Sequence, residues 1–419
     1  MSRIAIIGAG ISGMAAGYLL SRKHKVTLFE REPRLGGHTH THEIETSQGM
    51  KPIDTGFIVH NDRTYPNLVR LFRELGVERQ GSDMSFGVSC QQTGFEYSSR
   101  GLRGFFAAQG SWRRITSYRL LAEIVRFNRA SAEFLRTSAA AELTLGEYLN
   151  AGGFSGDLAR LYLLPMASSV WSTSLEDMES FPAVTLLRFF DNHGFLTLNG
   201  HPQWYVVKNG SSQYIAPLTA PYRERIVTGA QIESVKRMEG KPTLRFADGS
   251  ARTFDEVVFA CHGPQALALL GDATPQEMSV LQGFQTSRNE TVLHTDSRLL
   301  PRHERARASW NYHLGTRPKS ATLTYHMNRL QGINTAEDYC VTLNAPSAIE
   351  PSRVLRELTY HHPLYTLDAI RSQSRWKEIS GREHTHFCGA YWFYGFHEDG
   401  LNSAIRVAQS LGVYWRTEA

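Results

Sequence analysis

The chain has 419 residues, 41% of them hydrophobic and 20% charged, an ordinary globular balance that excludes disordered and fibrous classes. That length exceeds one ordinary core and predicts two domains. The net charge of +5, carried mainly by arginine, comes with no helix-turn-helix, zinc or RNA-binding signature, so nucleic acid is not expected as a partner.

In chain order, Ile4-Ala5-Ile6-Ile7 reads as a buried strand, Gly8-Ala9-Gly10-Ile11-Ser12-Gly13 as a glycine turn opening a helix, and Val26-Thr27-Leu28-Phe29-Glu30 as a second strand ending in an acid. This is a dinucleotide-binding fingerprint. Gly8 permits the tight turn, Gly10 lets backbone approach a pyrophosphate, and Gly13 lets the helix press on the strand, while the amides at Ile11 and Ser12 point at phosphate. Glu30 stands 22 positions after Gly8, where a carboxylate accepts adenosine ribose hydroxyls. The segment Arg31-Glu32-Pro33-Arg34-Leu35-Gly36-Gly37-His38-Thr39 follows at once. Its paired glycines let backbone amides close on an anion, and Arg34 can add charge-assisted hydrogen bonds. His38, His40 and His42 alternate and would share one face of a strand, yet no acidic or cysteine ligand spacing completes a metal site, so no metal is expected.

Residues 54–59, with Gly56 and Phe57 among the expected cofactor contacts, predict another strand, and Tyr65 to Gly76 a helix with an apolar stripe and a glycine stop. Residues 112–200 predict a helix-rich region. Between Arg100 and Arg136, arginines interleave with Leu102, Phe105, Phe106, Trp112, Leu120 and Ile124. Two readings stand open there: an amphipathic surface for anionic lipid headgroups, or a solvated helix with an apolar core face. Further strands are predicted at 224–227, 231–237, 243–246, 256–260, 321–327 and 339–343. At the far end, a strand over 385–391, a turn through His397-Glu398-Asp399 and an apolar helix starting at Gly400 and Leu401 are predicted.

The Arg-x-Gly-Gly segment after the acid, and the strand, turn and helix around Gly389 and Gly400, resemble the flavin amine oxidase and carotenoid desaturase superfamily. That resemblance implies FAD rather than NAD, a Rossmann-like α/β FAD-binding domain of the glutathione reductase and amine oxidase type, and an intertwined α+β substrate domain. It implies that the last helix points its N-terminus at the isoalloxazine ring. One departure is Ala390, where many relatives carry an acid for the ribityl chain. The expected division is 1–80, 205–285 and 380–419 for the FAD domain, with 81–204 and 286–379 for the substrate domain. More narrowly, Gly-Gly-His-Thr-His-Thr, Asp-Thr-Gly-Phe-Ile-Val-His-Asn, the 325–331 segment and Gly-Phe-His-Glu-Asp-Gly resemble a bacterial flavoprotein family encoded near cyclopropane fatty acid synthases. That family is similar to the N-terminal flavin domain of plant cyclopropane synthases.

The resemblance implies redox chemistry on modified acyl chains of lipids. A soluble amine or amino acid oxidase stands as one alternative, and a non-catalytic flavin-binding partner of a lipid methyltransferase as another. His397, Glu398, Asp399 and Tyr391 are the candidate catalytic groups, with helix capping and backbone bonding as the plainer role for the first three. Trp392 and Tyr394 are read as substrate-facing or as packing, and His60 and Tyr325 as weaker candidates. No lysine stands in a segment matching the flavin-facing lysine of many amine oxidases. The four cysteines, Cys90, Cys261, Cys340 and Cys388, lack a paired motif, which suits a reducing compartment and a noncovalently held FAD. With the first strand beginning at residue 3 and no apolar run of the roughly 18 residues that a span needs, a cytoplasmic enzyme with a peripheral inner-membrane contact is expected.

Overall fold

Ile4, Ala5 and Ile6 are fully buried because the strand Arg3–Ile7 lies at the middle of a five-stranded sheet, flanked on both sides. In spatial order the strands are Ile226–Val227, Lys25–Phe29, Arg3–Ile7, Glu256–Phe259 and Thr385–Phe387, every pair parallel. A strand covered on both faces must be apolar throughout, which is why these segments read as unbroken hydrophobic runs. The architecture comes from a computed structural model, which describes residues 1–108, 110–137, 142–171, 175–197, 202–315 and 321–415.

The helix Ile11–Leu20 is buried nearly all round, wedged between this sheet and the C-terminal helix His397–Ser410. Gly400 makes that crossing close: a Cβ there would stand 2.7 Å from Ile11 Cγ2 and 2.9 Å from Ser12 Oγ. Gly13 works on the other side, where a Cβ would fall 1.9 Å from the Gly8 carbonyl oxygen.

A second, seven-stranded sheet runs Val354–Leu364, Gln285–His294, Cys340–Leu343, Ala321–His326, Trp310–Leu314, Phe86–Cys90 and Phe95–Ser98. All its pairs are antiparallel except Trp310–Leu314 with Phe86–Cys90. Helices of the 101–192 stretch build a second apolar core against it, with Ile115–Thr137 packed on Ala183–Asn192 and Leu164–Trp171 packed on the sheet. Residue 109 of the arginine-rich stretch and residues 138–141, 172–174 and 198–200 of the expected helix-rich region lie outside the described residues. No helix among the described residues is long and apolar enough to cross a membrane.

Four expectations from the sequence change. Residues 54–59 are not one strand: Gly49–Asp54 ends, the chain bends, and Val59–Asn61 begins a different sheet. The bend follows from Gly56, whose Cβ would lie 2.0 Å from the His38 carbonyl oxygen, and from the Phe57 N–H, which donates to that same oxygen at 2.8 Å. The last helix starts at His397 rather than Gly400, because Asp399 reaches back and accepts from the Phe396 N–H at 2.9 Å, capping a turn earlier. The predicted strands at 224–227 and 385–391 are likewise shorter, Ile226–Val227 and Thr385–Phe387, since 3₁₀ turns precede the first and Gly389 turns the chain after the second.

Candidate active site

The carboxyl ends of the parallel strands open into a cavity of about 430 Å³. Gly8, Gly10 and Ser12 line it from the first turn, Glu30 and Arg31 from the end of the second strand, Gly36, Gly37 and His38 from the next loop, and Gly389 and Tyr391 from the C-terminal turn. Glu30 is held ready: its Oε2 accepts from the Ala9 N–H at 2.7 Å and its Oε1 from the Glu32 N–H at 2.9 Å. The two glycine turns abut, since the Gly36 N–H donates to the Ala9 carbonyl at 2.9 Å and a Cβ on Gly37 would stand 3.1 Å from Gly10 Cα. A Cβ on Gly10 would meet nothing within 4 Å. No side chain caps the helix that begins at Ile11, and no acid stands in its first turn, so its amides are left for an anion. Arg34 takes a different part from the one expected. Its guanidinium donates to the Gly37 carbonyl at 2.8 Å and to the Thr39 carbonyl at 3.3 Å, bracing the loop rather than lining the cavity.

A second cavity, about 180 Å³, adjoins the first and shares with it His38, His362, Gly395, Phe396 and His397. His397 is the anchor of this junction. Its Nε2 lies 3.0 Å from Thr39 Oγ1 and 3.2 Å from Tyr214 Oη, and its ring stacks on Phe57 at 3.6 Å. Burial lowers its pKa to about 3, so the imidazole is neutral at any ordinary pH. His38 is lowered too, first by burial and then by neighbouring imidazoles, and stacks on Tyr360 at 5.2 Å. Its Nε2 is buried with no hydrogen-bond partner. His362, brought to about 4 by burial, accepts at Nδ1 from Asn289 Nδ2 at 2.9 Å, which leaves the hydrogen on Nε2.

The other expected site residues go to different tasks. Glu398 lines neither cavity; its carboxylate accepts from the N–H groups of Asn67 (3.0 Å) and Leu68 (2.8 Å), capping the helix Pro66–Glu74 from outside. Asp399, raised by burial to about 7, caps its own helix, and Gly400 and Leu401 lie behind it in the contact with the fingerprint helix and in the core. Tyr391 lines the dinucleotide cavity and not the second one, and it packs on the Phe284 ring at 4.7 Å. Trp392 is core packing, and Tyr394 lines neither cavity. Gly56 and Phe57 line the second cavity, as does Tyr325, whereas His60 is buried beside Phe72 and Tyr205. Thr39 bonds Tyr214 and His397 in the wall. His40 and His42 turn to Tyr360 and Thr55. His362 at the junction and Tyr360 in the second cavity carried no local motif that would have singled them out, whereas Phe396 lies within the Gly-Phe-His-Glu-Asp-Gly segment but is not among the expected site residues.

Glu30, the two abutting glycine turns and the uncapped helix start fit FAD, which they would hold with its ribose at Glu30, its pyrophosphate at Gly10 to Ser12 and Gly37, and its ring end near Gly389, Tyr391 and the first turn of the last helix. A family model described as flavin containing amine oxidoreductase matches residues 11–316. Among solved structures, the CLA-producing fatty acid isomerase from P. acnes is 16% identical with a TM-score of 0.69, over 99% of each chain. Putrescine oxidase bound to putrescine is 12% identical with a TM-score of 0.70, over 98% of each chain. Cyclohexylamine oxidase from Brevibacterium oxydans IH-35A is 14% identical with a TM-score of 0.68, over 98% of this chain and 99% of that one. At such identities the likeness is one of fold. An uncharacterized protein of Methanocaldococcus jannaschii is 57% identical over 35 residues, 8% of this chain and 9% of that protein's length.

Proposed function

The chain belongs to the flavin-containing amine oxidoreductase family, and from that premise we propose that it is an FAD-dependent oxidoreductase acting on modified fatty acyl chains of lipids, by desaturation or a related hydride transfer. The observation that carries the reading is the lining of the second cavity. Ile58, Val59, Met84, Val170, Phe189 and Leu343 contribute apolar surface, and among the described residues no carboxylate or lysine lines it. A cationic amine entering it would shed its hydration with no acid to compensate, whereas an alkyl segment gains about 0.8 kcal/mol for each methylene buried. The fold likeness to a fatty acid isomerase supports an acyl substrate by analogy.

Bound FAD supplies an acceptor for the hydride of a substrate C–H bond. The chain's own residues do the rest. The apolar wall orients the alkyl segment and excludes water. His397, held uncharged between Thr39, Tyr214 and Phe57 with its Nε2 already hydrogen-bonded, fixes the junction. The buried, unpartnered Nε2 of His38 is available to take the proton that leaves the neighbouring carbon as a double bond forms.

The test is anaerobic mixing of the yellow protein with phospholipids carrying cyclopropane or methyl-branched acyl chains, followed by the lipid profile. Bleaching of the flavin together with new unsaturation beside the branch is the expected result. An unchanged spectrum with lipid, but bleaching and hydrogen peroxide formation with a small amine, would overturn it. That second reading has its own support, since the aromatic faces of Phe57, Tyr360 and Trp204 in the cavity can hold an amine. Silence with both substrates would favour the role of flavin-binding partner to a lipid methyltransferase.

A further inference from the structure

Leu102, Trp112, Ile115 and Tyr118 are 68, 56, 63 and 52% exposed, and they stand within one short stretch of chain. They form one continuous face. The Phe106 N–H donates to the Leu102 carbonyl at 3.0 Å, the Phe106 ring lies 5.4 Å from the Tyr118 ring, and Tyr118 Oη donates to the Trp112 carbonyl at 2.8 Å. Ile115 opens the helix Ile115–Thr137, one turn before Tyr118.

Within this stretch the charge has one sign, while the 3₁₀ turn Glu304–Ala306 packed on Gly101–Phe105 adds one acid, Glu304, and one cation, Arg305. Between residues 97 and 122 the only ionisable side chains apart from tyrosine are Arg100, Arg103, Arg113, Arg114 and Arg119, all exposed. Arg103, Arg113 and Arg119 make no ion pair among the described residues; the Arg113 guanidinium sits 4.5 Å over the Trp112 ring, and Arg114 donates to the Thr93 carbonyl at 3.2 Å. Arg100 alone approaches an acid, Asp83 at 3.8 Å. The first acid further along the helix, Glu123, is taken by Arg126 and Ser155.

We propose that this face docks the protein on a bilayer containing anionic phospholipid, with Leu102, Trp112 and Ile115 entering the headgroup–acyl boundary and the arginines meeting phosphates. Aliphatic side chains at the centre of the patch gain nothing from a nucleic acid backbone, whereas a lipid surface offers the apolar phase and the anions together. The inference stands on the surface alone and goes beyond the reading of the cavity, although the helix it uses packs on Ala183–Asn192, whose Phe189 lines the second cavity.

FAD-loaded protein is to be sedimented with vesicles of phosphatidylcholine, alone or mixed with phosphatidylglycerol. Binding to the mixed vesicles, weak binding to phosphatidylcholine alone and release by salt are expected. Ile115→Ser and Arg113→Glu should each lower partitioning by about tenfold with the flavin spectrum unchanged, while Met238→Ser, at an exposed residue elsewhere, should not. Failure to bind mixed vesicles, binding indifferent to Ile115→Ser and Arg113→Glu, or preference for RNA over vesicles would overturn the proposal. Binding without flavin bleaching to the same vesicles made with cyclopropane or methyl-branched acyl chains would instead count against the acyl substrate and leave this surface standing.

Discussion

Glu30 and His38 show how differently two residues of one cavity announce themselves. Glu30 belongs to a contiguous motif whose geometry is local, so spacing alone marked it as the ribose acceptor, and the structure holds its carboxylate by two backbone amides. Glu30→Ala is expected to weaken FAD binding by about tenfold, read by titrating the apoprotein with FAD. His38 was legible only as part of the phosphate loop. Its standing at the junction depends on Tyr360 and His362, which arrive on a strand more than 300 positions later, and no local pattern encodes such a meeting. His38→Gln is expected to lower turnover on the true substrate by about a hundredfold, with FAD content and KM little changed; a variant of unaltered turnover would remove His38 from the chemistry.

At the scale of elements, strands buried on both faces and the fingerprint helix were readable because their apolar runs and glycines act within a few residues. The first turn of the last helix was not. His397, Glu398 and Asp399 stand next to one another in sequence, yet one faces the cavities, one caps a helix 330 residues upstream, and one caps its own helix. Adjacent helical positions diverge by about 100°, so a chemically rich tripeptide cannot converge on one site. Glu398 satisfies two otherwise orphaned amides at the start of Pro66–Glu74. Glu398→Ala is therefore expected to cost about 1–3 kcal/mol in denaturant unfolding while the purified protein stays yellow, and a colourless variant of full stability would contradict the capping role.

Across the whole molecule, buried imidazoles set the response to acid. His60, His193, His262, His294 and His362 are lowered to about 4, and His40 and His397 to about 3, in each case chiefly by burial. An unfolded chain binds these protons near pH 6.5 and the native one does not, so stability falls as pH drops from about 6.5 towards 4. Asp54 and Asp399, raised by burial to about 6 and about 7, work in the opposite sense: the native state holds their protons, and their contribution declines as pH rises from about 4 to 7. Histidines outnumber them, so the melting temperature is expected to fall steeply below pH 6, checked by thermal melts followed through flavin fluorescence. A melting temperature level from pH 7 to 4.5 would show that these rings are more accessible than their burial indicates.

The sheet strand Thr385–Phe387 and the helix His397–Ser410, both near the end of the chain, complete a cradle begun by Gly8 and Glu30. A nascent polypeptide leaving the ribosome thus carries an open half-shell until Ser410 has emerged, and the prosthetic group can be captured firmly only after that point. Ribosome-released chains stopped at residue 384 are accordingly expected to emerge pale.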